Sequence, residues 1–560
     1  MKISKGKILF FILLVALVSR LPSLWYGLPH LYFLDEYIHI ANALKIIESA
    51  NPFLSFSYLP PLVSYLTIPI IAAWGIFGII FGSFAGVEGF REFVILNSGH
   101  LVIISRIFSI VLGVGTVYVV YLLGKQVFNT NVGLLGAAVV SLDFMHVMES
   151  QAGRIWVGIT FAIVLLMYLM FKLLKTGKMK WYAWSAVVMG FGWGVGYIPI
   201  GMIVWFLYVQ NLVRKKFKRS YLDRNFVFSL VVIVGFVIFF SLANTYSVQR
   251  QFGRGFNTVA NVVGINTQIQ AATGTDLDNV PKFAFNYDLI VSNLSEDMFL
   301  IAILAIIGFV VLLKGNKLKD ERLIFVAYFP FIYLILLPFV FGGINNNYML
   351  PAMPFMGILG SFGLLYVIGR IPKKIQFTAL VIALLVVFIP RVQAIGLHGV
   401  YLVKDDTRLQ AVSWVTRNVP TGSTILTDIE DLDLWITPSK EGIEFKEEHS
   451  PGRVRTRDLH LKEMSNDYYP YPSYVIIGAN DIEDWQAVVS KYDIDYVVRG
   501  YDNPESENIF RYLSLTKEVE FFPTRSGRGL DKFMEDTVSI YNIDIKQRRY
   551  GPYVEIYGIY

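Results

Sequence analysis

Two adjacent acids, Asp35 and Glu36, stand just past the first apolar run of a chain that is otherwise mostly hydrophobic. Side by side at a bilayer surface, two carboxylates are costly to desolvate, so they are expected to be solvated or put to use. One use is general base catalysis, a carboxylate taking the proton of an acceptor hydroxyl. Another is metal ligation, with Asp35, Glu36 and His39, one helical turn on, as candidate ligands of a divalent ion. The plain alternative is a helix N-terminus with acids in its first turn, where the dipole favours negative charge.

Basic residues that could answer an anionic substrate are scattered. Arg106 sits near one end of an apolar run, where a charge needs a partner: the headgroup region, a phosphate, or an acid of the first loop. His39 is a second phosphate-binding candidate. Glu149 and Arg154 flank a turn between two later runs, as a substrate-binding pair or an ordinary ion pair. Arg250 and Arg254 punctuate Gln251-Phe252-Gly253, a glycine-and-aromatic stretch suited to a lid. Asp143 lies at the end of its run with no assigned role. There is no cysteine, which excludes disulfides, thiol catalysis and cysteine-ligated metals.

Positioning these residues falls to membrane helices. Of 560 residues 54% are hydrophobic and only 16% charged, and the mean hydropathy is +0.52. That is the composition of a polytopic membrane protein. The net charge of +6 is no sign of nucleic acid binding, because Lys and Arg cluster between apolar runs as membrane orientation requires. Eleven spans are expected, at 8–25, 101–123, 132–149, 154–171, 181–195, 197–212, 226–244, 297–313, 323–342, 348–368 and 376–390.

The apolar stretch 59–84 is ambiguous. If it crosses, the basic clusters at Lys172–Lys180, Arg214–Arg219, Lys314–Arg322 and Arg370–Lys374 all lie opposite the basic N-terminus. If it does not, all share the cytoplasmic side with it, the arrangement that orientation by positive charge favours. An interfacial or re-entrant helix pair is therefore expected there, started by Pro60-Pro61 and interrupted at Pro69. The first outer loop, 26–100, then belongs to an extracytoplasmic site in a cell-membrane protein.

From 392 to 560 the chain turns polar and charged. Asp405-Asp406-Thr407 signals a helix start, and short apolar runs follow at Thr424–Leu426, Tyr474–Ile477 and Tyr496–Val498. Val538–Tyr541 and Tyr553–Tyr557 alternate as a terminal hairpin would. A soluble α/β domain is expected, divided from a membrane domain of residues 1–391, with 430–470 unassigned.

The ordered motifs resemble the GT-C glycosyltransferases, specifically the protein O-mannosyltransferases and aminoarabinose transferases. They are Arg20-Leu21-Pro22, Asp35-Glu36, Pro60-Pro61-Leu62, Arg106 with Tyr121-Leu122-Leu123-Gly124-Lys125, Val132–Ala138 with His146 and Ser150 before Arg154, and Tyr348–Pro354. Trp414 and Asn418–Ser423 of the tail are similar to soluble tails in this group. Two positions depart from the pattern. Trp156 stands where many relatives carry an acid, and Asn347 where an arginine precedes the tyrosine.

The resemblance implies transfer of a sugar, mannose-like, from a polyprenyl-phosphate (dolichyl-phosphate-like) donor to an acceptor hydroxyl of protein, lipid or glycan. The transfer would take place on the outer face, inverting the anomeric centre. It implies Asp35 as base with Glu36 beside it, and cations for the leaving phosphate. The competing reading is a transporter or flippase of lipid-linked sugars, against which stand the absence of an internal repeat and the large soluble tail.

Overall fold

The computed structural model describes residues 4–28, 34–53, 59–246, 248–249, 290–291, 298–314, 320–340, 346–429, 432, 435–479, 492–501, 510, 513–522 and 550–559. Local rules set several helix starts. Ser4 caps α1 (Lys5–Val18), Asn129 caps α6 (Thr130–Ser141) and Asp223 caps α11 (Arg224–Ala243), each accepting a first-turn amide. Between them run α2 (Leu34–Ser49), α3 (Leu62–Ile80), α4 (Gly86–Asn97), α5 (Val102–Val127), α7 (Phe144–Gln151), α8 (Trp156–Thr176), α9 (Met179–Val195) and α10 (Ile203–Phe217). Then come α12 (Phe299–Lys314), a π-helical turn leading into α13 (Tyr328–Val340), α14 (Met353–Arg370) and α15 (Lys373–Leu402).

Among the described residues seven helices are long and apolar enough to cross a membrane, or eight with α6–α7 taken as one span. The chain is an integral membrane protein. Helices α9, α10, α12 and α13, expected as spans, are shorter, at 17, 15, 16 and 13 residues.

Two expectations for the membrane helices are corrected. The span at 132–149 is two helices bent by 58°. Asp143 is the cause, since its carboxylate accepts the amide of His146 at 2.8 Å and so starts α7 afresh. The expected break at Pro69 does not occur, because α3 runs through it as one helix. Buried Thr67 and Ile71 on either side hold it to its neighbours despite the missing amide. A hairpin forms instead between α3 and α4, with Trp74 against Phe84, Phe90 and Phe93.

Three anchors of α3 lie at one end of the bundle. Asn244, after α11, donates to the Leu59 carbonyl at 2.6 Å. Leu62 packs with Trp193 and Phe240, near the C-termini of α9 and α11. Ile71 packs with Leu101 and Val102 at the start of α5.

The bundle core is tight where glycines face backbone. A Cβ on Gly133 of α6 would lie 2.6 Å from the Tyr121 carbonyl oxygen of α5, and one on Gly363 of α14 would collide with the Leu304 carbonyl of α12. Helix α15 continues unbroken past Pro390 and residue 391 into the tail.

The tail folds as an α/β domain. Asp406 caps α16 (Thr407–Asn418), whose Ala411, Val412 and Val415 pack on the sheet residues Ile425, Val498, Val554 and Ile556. The sheet comprises β1 (Thr424–Thr427), β2 (Val475–Gly478), β3 (Tyr496–Tyr501), β4 (Thr516–Phe521) and β5 (Tyr553–Gly558), in the order β2-β1-β3-β5-β4. The first three are parallel; β5 is antiparallel to both β3 and β4. The expected terminal hairpin is thereby corrected, since both edges of β5 are taken; residues 538–541 lie outside the described residues. Within 430–470 stand α17 (Lys440–His449), capped by Ser439, and α18 (Thr456–Glu463).

Candidate active site

At the α3-anchored end of the bundle, α2 is fastened to α5 by one buried ion pair. Glu36 and Arg106 are each only 2% exposed. Arg106 Nη2 donates to Glu36 Oε2 at 2.8 Å, and Nε approaches both carboxylate oxygens at 3.2 and 3.3 Å. Glu36 Oε1 also accepts the backbone amide of Gly153 at 2.9 Å, from the turn between α7 and α8. A buried pair of this kind is stable only when its remaining donors and acceptors are met, and here they are. Of the partners weighed for Arg106, the structure shows the acid of the first loop.

Gly153 brings the other predicted pair to the same place. Arg154 follows it and lies 3.6 Å from Glu149 Oε1; the Glu149 side chain is buried and that of Arg154 partly exposed. Ser109 of α5 holds the Arg154 carbonyl at 3.4 Å. One residue beyond Ile155, Trp156 packs against Tyr348, in the turn before α14, with ring centroids 4.3 Å apart. Asn347, beside Tyr348, is 3% exposed, and its Oδ1 has no partner among the described residues. Glu36, Arg106, Glu149, Arg154 and the two departing positions 156 and 347 thus line one locality.

Asp35 is the second residue of α2, placed there by the helix that the Glu36–Arg106 pair fixes. His39 is buried one turn along the same helix. Tyr37, between them, has its phenol pushed above its ordinary range by burial, against the opposing effects of Ser98 and Arg455. Arg250 and Arg254 lie outside the described residues.

A second buried cluster carries no assignment from sequence. Arg20 is fully buried; Nη1 donates to the Ala16 carbonyl at 2.7 Å and Nη2 to His146 Nδ1 at 2.8 Å. An arginine can only donate, so His146 accepts at Nδ1 and a neutral ring carries its proton on Nε2. Asp143 stands within electrostatic reach of both Arg20 and Arg391 of α15. Arg20 and His146 belong to the ordered motifs, but nothing in their spacing, 126 residues apart, signals the contact.

The described residues do not fit a metal at Glu36. Its carboxylate is filled by a guanidinium and an amide, and a divalent ion there would face Arg106 at contact distance. Among the described residues no group of three or more His, Asp or Glu side chains is arranged to hold a metal ion.

Much of this geometry falls in a segment that known proteins share. No curated protein sequence matches the chain. The structure of ArnT from Cupriavidus metallidurans bound to undecaprenyl phosphate is similar, with 11% identity, 99% of this chain and 98% of that one covered and a TM-score of 0.49. The archaeal oligosaccharyltransferase AglB from Archaeoglobus fulgidus, in complex with an inhibitory peptide and a dolichol-phosphate, is similar at 12% identity over 89% of this chain and 69% of that one, with a TM-score of 0.45. Residues 93–243, which hold Arg106, Asp143, His146, Glu149, Arg154 and Trp156, match the family model described as dolichyl-phosphate-mannose-protein mannosyltransferase, and in that segment this chain resembles the GT-C glycosyltransferases.

Proposed function

We propose that this chain is a polytopic glycosyltransferase moving a sugar, mannose by resemblance, from a polyprenyl-phosphate donor to an acceptor hydroxyl. The acceptor is of protein, lipid or glycan, and the transfer takes place at the outer membrane face. The observation that carries the reading is the Arg106–Glu36–Gly153 bridge. It ties the helix bearing Asp35 to α5 and to the α7–α8 turn, both inside the segment that matches the family. With Glu36 committed to holding, Asp35 is the acid of the pair left to act as base.

In this mechanism the acceptor oxygen attacks the anomeric carbon as Asp35 takes its proton. The bond to the donor phosphate breaks on the opposite side, which inverts the centre. Arg154, partly exposed beside Glu149, stabilises the leaving phosphate; Arg250 and Arg254 are further candidates for that task. The N-terminus is cytoplasmic. The α3–α4 hairpin lies along the outer surface without crossing, as its anchors at one end of the bundle support.

The test is transfer from a polyprenyl-phosphate-mannose donor by purified protein, wild type against Asp35→Asn. Donor binding should survive, and turnover should fall by about 100-fold or more, the lower end of what a general base supplies. Near-normal turnover in folded Asp35→Asn would remove Asp35 from the role. Donor movement across the membrane without transfer would favour a flippase.

A further inference from the structure

The hydrogen bonds around Glu36 do not end in the helical body. Arg106 divides its guanidinium, giving Nε and Nη2 to Glu36 and Nη1 to the carbonyls of Ser23 at 2.6 Å and Tyr26 at 2.8 Å. Tyr26 is buried, and its phenol donates at 2.8 Å to Asp406 Oδ2, 380 residues further along the chain. Asp406 is the cap of α16, gripped by the Arg408 guanidinium through two contacts of 2.8 Å. Its neighbour Thr407 receives the chain beside β5, its amide donating to the Tyr550 carbonyl at 3.1 Å and its hydroxyl to Pro552 at 2.6 Å. A continuous path therefore runs from β5 through Asp406, Tyr26, Arg106 and Glu36 to the Gly153 amide.

We infer that the C-terminal domain sets the position of α2 through the Tyr26–Asp406 hydrogen bond, which makes Tyr26 and Asp406 positioning residues for the proposed base Asp35. The consequence for turnover rests on the proposed function; the mechanical link does not. Tyr26 is singled out because it works at both ends. Its side chain is held by the soluble domain, while its backbone carbonyl completes the shell of a buried guanidinium. A shift of Tyr26 withdraws an acceptor from Arg106 Nη1, so the guanidinium is held less firmly in the orientation that aims Nε and Nη2 at Glu36.

A second fastening joins the same domain to the bundle by another route. His398 Nε2 meets Gln151 Oε1 at 2.8 Å, Gln151 Nε2 donates to the Ser19 carbonyl at 2.8 Å, and His398 Nδ1 accepts the Tyr550 hydroxyl. Loss of the Tyr26 bond therefore leaves the domain docked and changes only what reaches Arg106.

Hydrogen exchange on the full-length protein tests this, with wild type, Tyr26→Phe, Asp406→Asn, their double variant, and Tyr557→Phe as a control within the sheet. Amides of α2 and that of Gly153, which reports the Glu36 contact directly, should exchange roughly tenfold faster in both single variants. At α2 and Gly153 the double variant should match Tyr26→Phe, because Asp406, whose substitution also loosens Arg408, reaches those amides only through the Tyr26 side chain. Exchange in α12 and α14 should be unchanged, and Tyr557→Phe should leave α2 and Gly153 as in wild type. With the polyprenyl-phosphate-mannose donor, kcat of Tyr26→Phe should fall about tenfold with donor KM altered less than about twofold.

Unchanged exchange at α2 and Gly153 overturns the link, and so does a uniform rise across the bundle or additivity in the double variant. Should Asp406→Asn fail to fold, Tyr26→Phe decides alone, because it deletes one oxygen from a ring that stays packed. A wild-type protein inactive on the donor would sink the functional reading while the exchange result stood.

Discussion

Trp156, the first residue of α8, lies against Tyr348 with ring planes tilted by 51° and centroids 4.3 Å apart. These rings occupy or adjoin positions 156 and 347, the two at which the resemblance implies other residues. Positions nearly two hundred residues apart in sequence are thereby brought into one locality by an aromatic contact.

The contact should be measurable as a coupling. In a double-mutant cycle of Trp156→Ala and Tyr348→Ala, read by thermal unfolding in detergent, the pair should show an interaction of about 0.5–1.5 kcal/mol. Tyr348→Phe, which keeps the ring, should retain it. Additive effects would mean that the rings merely touch.

Breaking the Arg106–Glu36 pair from one side should be worse than removing both partners. Arg106→Met leaves a carboxylate in a site 2% exposed, a loss of about 3–5 kcal/mol for an uncompensated buried charge. The Arg106→Met/Glu36→Leu double variant should be the more stable of the two by Tm. It should nevertheless be impaired in transfer, since α2 loses its link to Gly153.

The lack of native cysteine makes topology directly testable. Single cysteines at Lys178 and Lys216 should resist an impermeant thiol reagent in intact cells. One at Ser83, in the α3–α4 turn, should react, although α3 is long enough to span a membrane. Protection of Ser83 from outside, with labelling after permeabilisation, would make α3 a span and reverse the orientation of every later helix.

The C-terminal domain should lose stability as pH rises through about 6. Burial pushes the Asp428 carboxyl up to about 6, against the Gly500 amide and Arg499, which favour its ionised form. Raised in the fold, this group binds its proton more tightly there than in the unfolded chain. Its stabilisation is complete below the unfolded value of about 4 and gone above about 6. Glu555 moves the other way: burial raises it, but Lys517 and Tyr557 prevail and hold it low, so its contribution is lost only in stronger acid. Exchange of the Gly500 amide, which donates to Asp428 at 2.6 Å, should quicken between about pH 4.5 and 6.5 beyond the intrinsic chemical rate. In Asp428→Asn that extra slope should vanish.

Features that depend on neighbours in the chain are legible in the sequence. The start of α16 at Asp406 follows from its capping signal, and β1, β2 and β3 from short apolar runs bounded by turns. The bend at Asp143 is hidden because the apolar pattern continues across it and only a side-chain cap marks the break. Strand β4 is hidden because it is an edge, with Lys517, Glu518 and Glu520 exposed and an inner face of only Val519 and Phe521. In the site, residue types are legible and partnerships are not. Arg106 and Glu36 both stand out, yet nothing in a spacing of 70 residues assigns one to the other.

The bond from Tyr26 to Asp406 also fixes an order of events in time. During synthesis the segment bearing Tyr26 emerges hundreds of residues before its partner, and Thr407 needs Tyr550 and Pro552, still later, to seat beside β5. At translation speeds of about 5–20 residues per second, the Tyr26 phenol waits tens of seconds for its Asp406 partner. Throughout that interval the helix carrying Asp35 lacks its tether to the distal domain, which makes this bond one of the last that folding can close.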